Sequence, residues 1–166
     1  LFRSAFKVGG KFYEYYGPWP ALLRVPLTVV FPGMNGRWTQ SSMTLALVVA
    51  LVAASSLAWR IRTLVRSDDA VGWVEASAVA LFIFVLGAGS VLMFLTSQAW
   101  VYHEAEIWGC GLALAAFAAL AEYVADPTRR RLIVTAVLAA MAVDSRASVG
   151  FGPIAAIGLQ IGRAHV

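Results

Sequence analysis

The run Trp100-Val-Tyr102-His103-Glu104-Ala-Glu106-Ile-Trp108 gathers two carboxylates, an imidazole and a phenol into one short stretch. On a helix, His103 and Glu106 share a face, Tyr102 and Glu106 are neighbours, and Glu104 points elsewhere. Such a set serves as a general base or as ligands for a metal. It reads equally as acids at a helix N-terminus, favourable to the macrodipole and wet at an interface. The second histidine that a zinc-protease motif needs four residues on is absent.

A second cluster is Asp144-Ser-Arg146-Ala-Ser-Val-Gly150-Phe-Gly152-Pro153. Asp144 and Arg146 are two apart and do not face each other on a helix. Each needs another partner, and an anionic lipid phosphate suits Arg146. A charge at mid-membrane costs about 2.5–3.5 kcal/mol, which makes an intramembrane Arg146 a functional candidate. Gly150, Gly152 and Pro153 predict that the helix breaks just after it, as helices do at depth when they line a cavity. The third cluster is Gly9-Gly-Lys11-Phe-Tyr13-Glu14-Tyr15-Tyr16-Gly17-Pro-Trp19-Pro, with Arg24. Its aromatic rings stack on sugars and its cations pair with phosphate. The same residues also make an ordinary interfacial belt.

The elements that position these clusters are apolar. Of 166 residues, 60% are hydrophobic and 13% charged, a balance far from that of a soluble domain. This excludes a coiled coil, a disordered chain and a nucleic-acid-binding domain. The net charge of +4 belongs instead to short basic loops beside membrane spans. Cys110 is the single cysteine and has no internal partner. A span needs roughly 20 apolar residues. The charge-free run from Trp38 to Trp59 is one, Ala76 to Tyr102 a second, and Ile107 to Ala121 a third. Leu132 to Val143 becomes a fourth if Asp144 and Arg146 lie inside the membrane, and the apolar stretch Ala147 to Gln160 follows. Between Trp19 and Phe31 an apolar stretch with Pro20 near its start predicts a short interfacial helix.

The fold class expected is therefore all-α, a polytopic membrane protein of about four transmembrane helices plus an outer interfacial helix. Residues 1–37 form an outer loop with that helix, and 38–160 form a transmembrane region truncated at both ends. Residues 161–166, Ile-Gly-Arg-Ala-His165-Val, match the product of a sequencing-adapter run and are set outside the fold. Arg60, Arg62 and Arg66, and then Arg129, Arg130 and Arg131, place loops 60–72 and 126–131 inside. The 100–106 turn is then outside, although five basic residues within 1–37 oppose that orientation.

The order of these features resembles polyprenyl-phosphate-dependent membrane glycosyltransferases of the GT-C superfamily, in particular bacterial relatives of protein O-mannosyltransferases and of the lipid A aminoarabinose transferase. The features are the aromatic loop Tyr13 to Arg24, two spans, the acidic turn Tyr102-His-Glu-Ala-Glu106, a further span, Arg129-Arg-Arg131, and Ser145-Arg146-Ala-Ser-Val-Gly150. The last occupies a Thr/Ser-Arg/Lys-x-x-x-Gly-like turn of the family, and the likeness covers most of 10–155.

The resemblance implies a sugar donor on a polyprenyl phosphate and an acceptor hydroxyl on the outer face of the cytoplasmic membrane. No cofactor is certain, with a divalent metal (Mg or Mn) an option, and the other partners are membrane lipids rather than nucleic acid. Glu104 or Glu106 corresponds to the second outer acidic position of the family, with His103 beside them. Arg146, Arg24 and Lys11 stand as ligands of the donor phosphate, and Tyr102, Tyr13, Glu14, Tyr16 and Trp19 as substrate contacts. The family's base lies in an outer loop upstream of Leu1, so the chain by itself is expected to be inactive. Two other readings stand beside this one: a secondary transporter with its substrate site at Asp144 and Arg146, and a membrane scaffold without chemistry.

Overall fold

The computed structural model describes residues 5–14, 18–34, 38–66 and 70–164. It opens on a hairpin, β1 (Ala5–Val8) and β2 (Lys11–Glu14), which the reading of 1–37 as an outer loop with one interfacial helix does not contain. The strands pair antiparallel, Ala5 opposite Glu14 and Val8 opposite Lys11. Gly9 and Gly10 form the turn with φ of 58° and 82°, the left-handed backbone that a tight two-residue hairpin demands. Tyr15, Tyr16 and Gly17 lie outside the described residues.

Seven helices follow. α1 (Trp19–Val30) is the short helix expected, with Pro20 in its first turn and Pro26 inside it. α2 (Trp38–Val65) and α5 (Val101–Ala125) are the long ones. Between them run α3 (Trp73–Ala88) and α4 (Val91–Ser97), and the chain ends in α6 (Arg129–Ser145) and α7 (Ala147–Ala164).

Among the described residues, α2 and α5 are long and apolar enough to cross a membrane, and α3 with α4 makes a third such segment if the bent pair is one span. The apolar helices point to a membrane protein. The single straight span expected over 76–102 is instead two helices bent by 43°. The bend has a local cause. The Ser90 hydroxyl donates to the Leu86 carbonyl at 2.5 Å and accepts from the Leu92 N–H at 3.1 Å, so it ends one helix and caps the next. The polar run Ser97-Gln98 then closes α4 before Trp100.

α5 is the central helix. It packs most extensively on α2 and α6, and also against α7, α4 and α1. Close approach is possible because the contact faces are small. α2 turns Ser42, Ala46, Ala50, Ala53 and Ala54 inward and leaves Leu45, Val48 and Val52 outside. This is the pattern of helices whose outer surface meets lipid. A Cβ on Gly111 would stand 3.2 Å from the Ala46 carbonyl oxygen, so glycine lets α5 touch the α2 backbone. α6 faces inward with Thr135, Ala139, Ala142 and Ser145. α3 buries none of its residues, and Leu81, Phe82, Phe84 and Val85 are all exposed.

α6 and α7 meet at a sharp corner. The helix breaks at Arg146 itself, which is extended (φ −156°, ψ 107°), rather than within the Gly150–Pro153 run, which is helical. The corner depends on Gly150: a Cβ there would overlap the backbone of Val143 and Ala142. Gly150→Ala is therefore expected to destabilise the protein by about 1–3 kcal/mol. Gly158→Ala, at a position with open space around it, should be neutral or stabilising. Thermal unfolding of the two variants in detergent checks this, and equal midpoints would refute the corner contact.

Candidate functional site

The first turns of α5 distribute their polar side chains around the helix. Glu104 turns toward α1 and α2. It is wholly buried, and its carboxylate meets the Arg24 guanidinium of α1 at 3.2 Å. Arg24 is itself held by the Pro20 carbonyl at 3.3 Å and by Thr39 Oγ1 at 3.0 Å. Ser42 of α2 accepts from the Trp108 indole N–H at 2.9 Å and stands within reach of the Glu104 carboxylate. Neither carboxylate oxygen has a well-aligned hydrogen bond among the described residues, so Arg24 is its main compensation.

Glu106 lies on a different face, toward the α6–α7 corner. Its carboxylate stands 3.4 Å from Nε of Arg146. Arg146 also donates to the Tyr102 hydroxyl at 3.0 Å, and its guanidinium carbon lies 4.6 Å from the Tyr102 ring centroid. The approach is close because α5 carries Gly109 here: a Cβ on it would stand 3.0 Å from Cβ of Arg146. Arg146 and Glu106 are each about a fifth exposed (22% and 23%), against 1% for the Glu104 side chain. Glu106 is therefore the acid open to solvent, and Glu104 is not.

His103 joins neither acid. Its Nδ1 lies 3.3 Å from the Gln98 carbonyl, and its buried ring packs among Phe94, Trp100 and Tyr102. The helical spacing that puts His103 and Glu106 on one face is overridden by the turn at Gln98, which draws the imidazole toward α4. Arg24, expected as a phosphate ligand, is engaged by Glu104. Trp19 is half-buried against the core beside them, not in an exposed belt. Lys11, Tyr13 and Glu14 lie on β2, and Tyr16 is outside the described residues. Asp144 is exposed and makes no contact with Arg146. Among the described residues no group of three or more His, Cys, Asp or Glu side chains is placed to hold a metal.

Thr39, Ser42 and Trp108 belong to the cluster and were not singled out from sequence. Their signal was weak: two hydroxyls in the first turns of an apolar span and an indole one turn beyond Glu104. Arg24→Ala leaves a buried carboxylate without its cation and is expected to cost about 3 kcal/mol. Replacing both partners, Arg24→Met with Glu104→Met, should restore most of that loss. Equilibrium unfolding in mixed micelles separates the two cases, and equal losses would remove the pairing argument.

No family model, no curated protein and no solved structure matches this chain.

Proposed function

We propose that the protein is a membrane glycosyltransferase that moves a sugar from a polyprenyl-phosphate donor to an acceptor hydroxyl at the end of α5 bearing Tyr102 and Glu106, where Arg146 of the α6–α7 corner meets them. The observation that supports this reading is the partly exposed Arg146, held on a helix break by an acid and a phenol. A guanidinium there matches a phosphate in charge and fork geometry. In transfer, the bond from the acceptor oxygen to the sugar carbon forms as the bond from that carbon to the phosphate oxygen breaks. In this reading Glu106 takes the acceptor proton, in place of the upstream-loop acid that the resemblance implies, and Arg146 stabilises the leaving polyprenyl phosphate. In the unliganded site the two are paired with each other, so a donor phosphate that engages Arg146 frees Glu106 to act as base. Glu104, buried under Arg24, serves to hold α1 against α5.

The basic residues support an outward-facing site. Glu122 lies about 24 Å along α5 from Glu106 and pairs with Arg60 at 3.0 Å. Arg129, Arg130 and Arg131 begin α6 at that same far end. Short arginine-rich loops stay on the cytoplasmic side, which leaves Arg146 on the outer side of the cytoplasmic membrane. The break at Arg146 also fits a secondary transporter, whose substrate sites form at interrupted helices.

Glu106→Gln is expected to lower transfer of radiolabelled sugar from a polyprenyl phosphate by about 100-fold or more, with membrane insertion intact. Arg146→Gln should weaken donor binding chiefly through KM. The measurement uses proteoliposomes containing the protein. Unchanged transfer in Glu106→Gln would overturn the assignment, and solute uptake without sugar transfer would favour the transporter.

A further inference from the structure

The end of α5 opposite to Glu106 carries a cleft that the proposed chemistry does not use. It lies between α5 and α6 and is lined by Ala119, Glu122, Asp126, Thr128, Arg130, Arg131 and Val134. Its acids are already engaged. Glu122 meets Arg60 at 3.0 Å and Arg131 at 3.9 Å, and Asp126 meets Arg131 at 2.5 Å. Arg131 further donates to the Glu122 and Asp126 carbonyls at 3.3 and 2.9 Å, which fixes it in the turn. Arg129 and Arg130 are exposed and have no ion-pair partner among the described residues. Arg130 lines the cleft and Arg129 stands beside it at the start of α6, so the cleft presents the uncompensated charge of Arg130 at its rim, beside walls made by Ala119 and Val134.

Its depth in the bilayer follows from α5. The apolar segment Tyr102–Ala125 ends at this turn, so the arginines sit at headgroup level, with Ala119 and Val134 one to two turns deeper, where acyl chains begin. A cation over an apolar wall at that boundary is the recognition chemistry of an anionic phospholipid. A free phosphate would use the cations and leave the wall unmatched.

We propose that the α5–α6 cleft is a binding site for an anionic phospholipid, whose headgroup phosphate is held by Arg130, with Arg129 adding positive charge from the first position of α6, and whose acyl chain lies along Ala119 and Val134. The assignment rests on these contacts alone and stands whatever reaction occurs at Arg146. Each basic residue near an anionic headgroup contributes about fivefold in binding. Both arginines are exposed, so their replacement removes little packing.

The test is native mass spectrometry of the whole protein released from mixed phosphatidylcholine and phosphatidylglycerol micelles. Wild-type protein should retain phosphatidylglycerol over phosphatidylcholine. Arg129→Gln with Arg130→Gln should weaken that retention about 25-fold, while Arg129→Lys with Arg130→Lys, which keeps the charge, should hold most of it. Glycerophosphate in excess should not displace the lipid. Equal retention of phosphatidylcholine, undiminished retention in the glutamine variant, or displacement by glycerophosphate would each overturn the proposal. Circular dichroism of the glutamine variant should match wild type, and loss of helicity together with loss of lipid in the lysine variant would overturn it as well.

Discussion

A carboxylate without exposed surface has to be met by a cation or it destabilises everything packed around it. Glu104 is that group, and Arg24 is its answer. The consequence reaches beyond the pair. α1 is 12 residues long, carries a proline in its interior and leaves Val25, Val29 and Val30 exposed, so it is not held by its own helicity or by extensive burial. Its seat on the bundle is set by Arg24 reaching Glu104 of α5 and Thr39 of α2 together. The same contact fixes the start of α5, and with it the direction in which Glu106 leaves the next turn. The buried pair thus aligns the partly exposed one.

α5 is anchored in this manner at both ends. Glu104 and Glu106 take arginines from two sides at one end, and Glu122 takes Arg60 at the other. Between them the helix offers almost nothing but small and aliphatic side chains, with Gly109 and Gly111 where neighbours come closest. Van der Waals contact holds the middle of the bundle and electrostatics fix its register. A helix with a smooth central surface can slide or rotate against its neighbours; charges at its two ends prevent both.

The long helices were legible because a bilayer imposes length and apolarity on contiguous residues, and the runs beginning at Trp38 and Ile107 satisfy both. The bend at Ser90 was not, since Gly87-Ala-Gly89-Ser90 is apolar enough to pass as part of a span and only the hydroxyl's two hydrogen bonds turn it into a break. The hairpin did leave a signal in Gly9-Gly10, whose paired positive φ is a strand-turn device, but the aromatic content around it drew the reading toward an interfacial belt. Spacing correctly put Tyr102 and Glu106 side by side and kept Asp144 apart from Arg146. It carried no information on partners 80 residues away in sequence, which is why Arg24 appeared as a free cation, and none on the turn at Gln98 that draws His103 away from Glu106.

The way this chain enters a membrane follows from the composition of α6. That helix begins with three arginines, ends beside Asp144, and turns Thr135 and Ser145 inward, so it partitions poorly into lipid by itself. It is joined to α5 by Asp126-Pro127-Thr128 alone, too short a link for the two to settle separately. α5 is apolar enough to insert unaided. α6 is therefore the second arm of a helical hairpin, packed along α5 with Thr135 and Ser145 turned inward. The corner at Gly150 then folds α7 back against both, so each helix of this end lies against the one that precedes it in the chain.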